Sequence, residues 1–235
     1  MKVSYLALGA VLVAGASYAA NPLPPALSGQ YPDTVQKTAI GNINSTSGDG
    51  FITIYNSGSS SLAGNYGPKA TYGWITAEVY VFDASDEQLV ACCYCPLSPD
   101  SGATMSAKNM LANNTLTGKT PSSITVTLVT AAGNANGGPT TALTPPGPWQ
   151  AIATPYSFST GLRGTRTTTH LAANYPGVAG PFVTEAPLDV VNINAGEYDN
   201  MVNSCSSNYN NGSGQGICGG CAGGTSNAVV HTHTN

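Results

Sequence analysis

Apolar and polar positions alternate along much of the chain, which predicts β-strands. The clearest strand is predicted at residues 74–82 (WITAEVYVF). One face of it carries small or β-branched residues: Ile75, Ala77, Val79 and Val81. The other face carries three aromatic residues and one acid: Trp74, Glu78, Tyr80 and Phe82. Because both faces are largely apolar, we expect a central strand that is covered on both sides.

Further β-branched or aromatic runs predict shorter strands, and Gly, Asn, Ser and Pro residues separate them. These runs lie at residues 34–40, 51–55, 87–93, 124–130, 149–158, 165–171, 182–185 and 188–193, with a candidate short strand at 103–108. The turn-forming residues 42–50 indicate that the first two runs form a hairpin. This pattern is typical of a mainly β fold, and we expect an antiparallel β-sandwich of the immunoglobulin-like type.

One helix is predicted near the C-terminus. Asn194 can cap it, and Glu197 lies at the capping-box spacing. Apolar residues then recur at helical spacing, namely Tyr198, Met201, Val202 and Cys205. We therefore expect Cys205 to face the sheet.

The N-terminus has the pattern of a secretory signal peptide. Lys2 precedes the uncharged apolar residues 3–16, and small residues surround Tyr18. We predict cleavage after Ala19, followed by an extended Pro-rich arm at 20–33, a single domain at 34–227 and a tail at 228–235. We expect a secreted, extracellular protein, with the cell surface as an alternative location. No later segment is long and apolar enough to span a membrane.

The amino-acid composition restricts the kinds of molecule that the protein can bind. Only 8% of the residues are charged, the net charge is −4, and the few Lys and Arg residues are scattered. A partner bound through phosphate neutralisation is therefore disfavoured, so we expect no nucleic acid. An uncharged polar surface favours self-association instead.

The six cysteines form two clusters: Cys92, Cys93 and Cys95, and Cys205, Cys218 and Cys221. In an exported protein, we expect disulfides. Residues 206–227 are rich in Gly, Asn and Ser and have little to bury, which favours pairing between the clusters. The sequence leaves the order of pairing open. Metal binding by the C-x-x-C motif at Cys218 is the alternative.

Two cysteine-containing motifs carry a resemblance. The first is the C-C-x-C-P element from Cys92 to Pro96, followed by Asn114-Thr115-Leu116-Thr117. The second is the G-x-G-x-C-x-x-C element that ends at Cys221 and follows Cys205. In both, the chain resembles a group of uncharacterised secreted proteins of soil bacteria. This resemblance implies export and a shared fold, and it implies no catalytic residue or substrate.

Candidate catalytic groups are few. No G-x-S-x-G element or other nucleophile–base motif is present, so we expect no enzyme and no cofactor. His170 follows a Thr-rich run and is interpreted as a surface or edge residue. His231 and His233 have a spacing that suits two metal ligands, but a polar tail is the favoured interpretation.

These observations favour a non-catalytic, self-assembling extracellular subunit of a surface, matrix or filament. The Pro-rich arm leads into residues 34–40, so β-strand addition could join subunits through Thr34, Val35 and Ile40. The main alternative is a carbohydrate- or small-ligand-binding module that uses Trp74 and Trp149. A metal or redox protein, or an enzyme of unrecognised type, is the weaker alternative.

Overall fold

The computed structural model describes residues 34–43, 49–59, 63–64, 71–73, 75–132, 158–171, 176–219 and 221. Several predicted features lie outside these ranges: the signal peptide, the Pro-rich arm, Trp74, Trp149, His231 and His233. Of the strand predicted at 149–158, only Phe158 is described, and it forms an isolated bridge with Ala131.

The described residues form eleven strands and one long helix. The strands are β1 Val35–Ile40, β2 Phe51–Asn56, β3 Ala63–Gly64, β4 Thr71–Tyr72, β5 Ile75–Asp83, β6 Leu89–Leu97, β7 Gly102–Ser106, β8 Ile124–Ala132, β9 Leu162–His170, β10 Phe182–Pro187 and β11 Asp189–Val190. A π-helical turn, Ala107–Leu111, follows β7, and the helix α1 is Ala195–Asn210.

Two antiparallel sheets make up the body of the fold. Sheet A has the strand order β11-β1-β8-β5-β6, and sheet B has the order β10-β9-β2-β7. The mainly β class and the C-terminal helix are therefore confirmed, whereas the immunoglobulin-like topology is not. A separate two-stranded sheet pairs β3 with β4.

The main core lies between sheets A and B. The alternation in β5 places Ile75, Ala77, Val79 and Val81 in this core, as predicted. Ile52 and Ile54 of sheet B face them, and neither is exposed to solvent. Inward-facing apolar residues on both sheets thus hold the sandwich together.

A second, smaller core lies on the opposite face of sheet A, beneath α1. Tyr198, Met201, Val202 and Cys205 of the helix are buried there, together with Tyr80 of β5. The Asn194 side chain caps the helix by accepting a hydrogen bond from the Glu197 backbone N–H at 2.9 Å. Sheet A is therefore the middle of three layers, and this explains why both faces of β5 are apolar.

The predicted hairpin between the first two strands is wrong. β1 pairs with β8 and β11 in sheet A, whereas β2 pairs with β7 and β9 in sheet B. Burial explains the difference. β1 is buried at most of its positions and fits inside sheet A, while β2 alternates between exposed and buried residues and fits a sheet with one open face.

Strand β6 extends beyond the predicted end at Cys93 to Leu97, so Cys95 lies within it. Pro96 is tolerated because β6 is an edge strand of sheet A, where a missing backbone N–H costs little. The candidate strand at 103–108 ends instead at Ser106, whose hydroxyl accepts a hydrogen bond from Asn109 N–H and caps the π-helical turn.

Candidate functional site

The cysteines pair in order between the two clusters, as expected for a disulfide framework. Cys92 bonds to Cys205, Cys93 to Cys218 and Cys95 to Cys221, with Cα–Cα distances of 6.0, 5.3 and 4.7 Å. No cysteine remains free. The sulfurs of the C-x-x-C motif are therefore used in cross-links.

Strand alternation in β6 explains this order. Cys92 lies on the helix side of sheet A and meets Cys205 of α1. Cys93 and Cys95 lie on the sandwich side, where Cys218 and Cys221 are also buried. One disulfide therefore holds the helix, and two hold the segment that follows it.

The segment after α1 closes one side of the sandwich. Its backbone pairs with β6, where Cys92 N–H donates to Gly216 and Cys218 N–H donates to Cys92, both at 3.0 Å. Gly219 N–H then donates to Met110 at 2.8 Å, next to the edge of sheet B. The segment thus covers the gap between the edge strands β6 and β7.

A glycine is required where this segment turns against the helix. Gly216 has φ +76°, and a Cβ there would lie 2.7 Å from the side-chain nitrogen of Asn208. Larger residues rarely adopt this backbone conformation. The close approach positions the following Cys218 against β6.

A buried acidic cluster lies between β5 and α1. Glu78 is fully buried and accepts a hydrogen bond from the Tyr80 hydroxyl at 2.7 Å. The Tyr198 hydroxyl of the helix donates to the two Glu78 oxygens at 3.2 and 3.1 Å. Phe158 packs against the Tyr198 ring edge to face, with 5.2 Å between ring centroids.

Burial changes the acidity of this cluster. Desolvation raises the pKa of the Glu78 carboxyl from 4.5 to about 7, although the hydrogen bonds from Tyr80 and Tyr198 oppose the shift. Burial and the neighbouring Glu78 carboxylate also raise the pKa of Tyr80 well above 10.0, so this tyrosine stays neutral. The cluster is closed to substrates, and we interpret it as a contact that holds the helix on the sheet.

The side of sheet B that faces away from the core presents exposed side chains on its described strands, and we call it the outer face. Its central strand, β2, presents Phe51, Thr53 and Tyr55, and the two aromatic side chains are 39% and 48% exposed. The neighbouring strands add further residues to this face: Gly102, Thr104, Ser106, Arg163, Thr165, Thr167, Thr169, Val183, Glu185 and Pro187. The threonines of β2 and β7 are linked by a hydrogen bond of 3.1 Å between the hydroxyls of Thr53 and Thr104.

The outer face is almost uncharged. Arg163 and Glu185 are the exposed charged residues on its described strands, and the Asp49 carboxylate lies at its rim, where it accepts a hydrogen bond from the Ser106 hydroxyl. Exposed aromatic, Val and Thr side chains on a sheet with little charge are typical of a contact surface. This face is the strongest candidate for contact with another molecule.

The predicted assembly residues lie inside the fold. Thr34, Val35 and Ile40 are buried at 2%, 3% and 1% exposure. Val35 and Ile40 belong to β1, which pairs on one side with β8 and on the other with β11. These residues therefore hold the chain's own sheet, and their part in assembly stays a prediction.

His170 is the last residue of β9, which lies between β10 and β2 in sheet B. Its Nε2 lies 2.7 Å from the Thr184 hydroxyl, and its ring stacks on Phe182 with 4.7 Å between centroids. A hydroxyl–imidazole pair is part of a nucleophile–base arrangement. Since Thr184 is exposed on the edge strand β10, we interpret the pair as a contact between neighbouring strands.

A cleft of about 560 Å³ lies between the start of α1 and the ends of β5 and β6. Phe82, Leu89 and Met201 form its apolar part, and Glu87 and Glu197 add carboxylates. Its volume is within the range of small-ligand sites.

No protein-family model, curated protein or solved structure matches the chain. Within the described ranges, no three His, Cys, Asp or Glu side chains are grouped as a metal site. In the same residues, no helix is long and apolar enough to cross a membrane. The geometry of the chain itself therefore carries the functional argument.

Proposed function

We propose that this chain is an exported, non-catalytic structural protein that associates with copies of itself outside the cell, as a surface, matrix or filament subunit. The outer face of sheet B is the observation that carries this proposal. It exposes Phe51, Tyr55 and Val183, with Val183 at 60% exposure, among threonine side chains. Burying such a face against a second protein removes apolar area from water at little electrostatic cost.

The disulfides support an extracellular setting and a mechanical role. Disulfides persist in oxidising compartments and are rare in the cytosol. Here they join β6 to residues 113, 125 and 126 positions away, so the C-terminal helix and the segment after it stay covalently attached to sheet A. The signal-peptide pattern and the resemblance to secreted proteins of soil bacteria are consistent with export, and both belong to this proposal.

Strand addition is the proposed means of extension. β10 is an outermost strand of sheet B, and its residues Val183, Thr184 and Glu185 are exposed. Such an edge can accept a strand from another chain. The arm at 20–33 is the proposed donor.

Microscopy and sedimentation of the exported protein test this function. We expect oligomers or polymers in electron micrographs and a sedimentation coefficient that rises with concentration. Thr53→Lys places a charge at the centre of the outer face and should reduce association. Thr117→Lys makes the same substitution at an exposed turn and is the matched control. Dispersed monomers at high concentration would rule the proposal out.

A carbohydrate-binding module is the second candidate. Phe51 and Tyr55 lie on one face of β2 among hydroxyl groups, and aromatic rings with hydroxyls suit sugar recognition. Binding of a polysaccharide that Tyr55→Ala abolishes, with no self-association, would favour this candidate. A glycan array without binding would remove it.

A further inference from the structure

The order of aromatic and threonine residues on the outer face is the same in both directions along the central strand. Along β2 the face presents an aromatic residue, a threonine and an aromatic residue, namely Phe51, Thr53 and Tyr55. Adjacent positions on one face are about 6.6 Å apart, so the two aromatics lie about 13 Å apart with Thr53 midway. A second copy that is turned end for end therefore presents the same pattern.

The two exposed charged residues on the strands of the outer face, Arg163 and Glu185, also lie at different levels along the strands. Arg163 lies directly opposite Tyr55. Glu185 lies opposite Thr167, which lies opposite Phe51. The positive charge is thus level with one aromatic residue, and the negative charge is level with the other, on the next strand.

From this geometry we infer that two copies of the chain pack outer face to outer face about a two-fold axis that crosses the strands through Thr53 and Thr165. These two residues lie opposite each other, at the middle level of the face. Rotation about this axis places Tyr55 of one copy over Phe51 of the other, in both directions. This inference rests on the proposed self-association. It specifies which surface the two copies share and the register in which they pack.

The same rotation brings opposite charges together. It moves Glu185 of one copy to the level of Arg163 of the other, displaced sideways by one strand spacing of about 4.8 Å. An arginine side chain spans that displacement. The two-fold symmetry creates two such pairs. In this register, Arg163 does not face Arg163 of the other molecule, and Glu185 does not face Glu185 of the other molecule. Complementary charges of this kind fix the register of an interface.

The area of the outer face limits the strength of the contact between the two copies. Four strands and three levels cover about 400 Å² per copy, or about 800 Å² in total, which is below the usual size of a stable interface. The pair is therefore weak by itself. Because a two-fold contact is closed, longer assemblies need a second contact, such as strand addition at β10.

Charge reversal tests the register. Arg163→Glu and Glu185→Arg should each weaken self-association about tenfold, because each turns two attractive pairs into repulsive ones. The double variant Arg163→Glu/Glu185→Arg should restore wild-type association. Lys119→Glu makes the same charge change at an exposed position away from the face and should have no comparable effect. Sedimentation velocity over a concentration series at low salt measures all five proteins, and near-UV circular dichroism verifies folding.

The outcomes separate this inference from the proposed function. Weakening by both single changes with recovery in the double variant supports the two-fold pair. If the wild type associates but the single changes have no effect, or if the double variant does not recover, the register is wrong and self-association stands. If the wild type is monomeric throughout, both proposals fail.

Discussion

At the scale of single residues, Glu78 makes stability depend on pH. Its pKa is raised to about 7 in the fold from 4.5 outside it, so the folded state holds a proton that the unfolded state releases between these values. The contribution of Glu78 to the free energy of unfolding should be fully present below about pH 4.5 and fall by about 3 kcal/mol as the pH rises to about 7. Denaturant unfolding at a series of pH values measures this loss.

Glu78→Gln isolates the contribution of this carboxyl. The amide has nearly the same shape and does not titrate, so the decline in stability between pH 4.5 and 7 should largely disappear. Glu87→Gln changes an exposed carboxyl away from the outer face; it is the matched control and should leave the decline in place. Equal pH profiles for the wild type and Glu78→Gln would contradict the assignment.

At the scale of elements, the disulfides divide the C-terminal region into two parts. Replacing Cys92 and Cys205 by Ala should loosen α1, because the helix loses its covalent link to β6 and keeps non-covalent contacts such as the Glu78–Tyr198 hydrogen bonds. We expect a loss of about 2–4 kcal/mol and faster amide exchange in residues 195–210.

The matched variant replaces Cys93 and Cys218 by Ala. Here the faster exchange should appear at residues 216–219, which pair with β6 and with Met110. Hydrogen-exchange mass spectrometry distinguishes the two patterns. The same pattern in both variants would show that the helix and the following segment unfold as one unit.

At the scale of the whole molecule, low charge governs association. The net charge is −4 at pH 7 and the isoelectric point is about 5.1. Repulsion between copies therefore falls as the pH approaches 5.1, and self-association should strengthen. Light scattering at about pH 5 and about pH 8 measures the change. Thr53→Lys should suppress the increase if the outer face is responsible, whereas Thr117→Lys should retain it.

The sequence showed the separate components of the outer face and of the Glu78 cluster. The strand run at 51–55 was visible as β-branched and aromatic residues, and the run at 165–171 showed repeated threonines. Their combination into one face was not predictable, because it depends on β2 lying between β7 and β9. Glu78 stood out as an acid among apolar residues, but its partner Tyr198 is 120 residues away.

By itself, the sequence determined where most of the longer strands lie, the faces of β5, the cap of α1 and the need for cross-links. These features follow from local periodicity and from backbone chemistry over a few residues. Only the tertiary structure decided that β1 and β2 enter different sheets, that the cysteines pair in order, and that Glu78 meets Tyr198. The physical reason is that the alternation of apolar and polar residues within a strand fixes which of its faces is buried. Which strand becomes its neighbour depends on the packing of side chains from the whole chain.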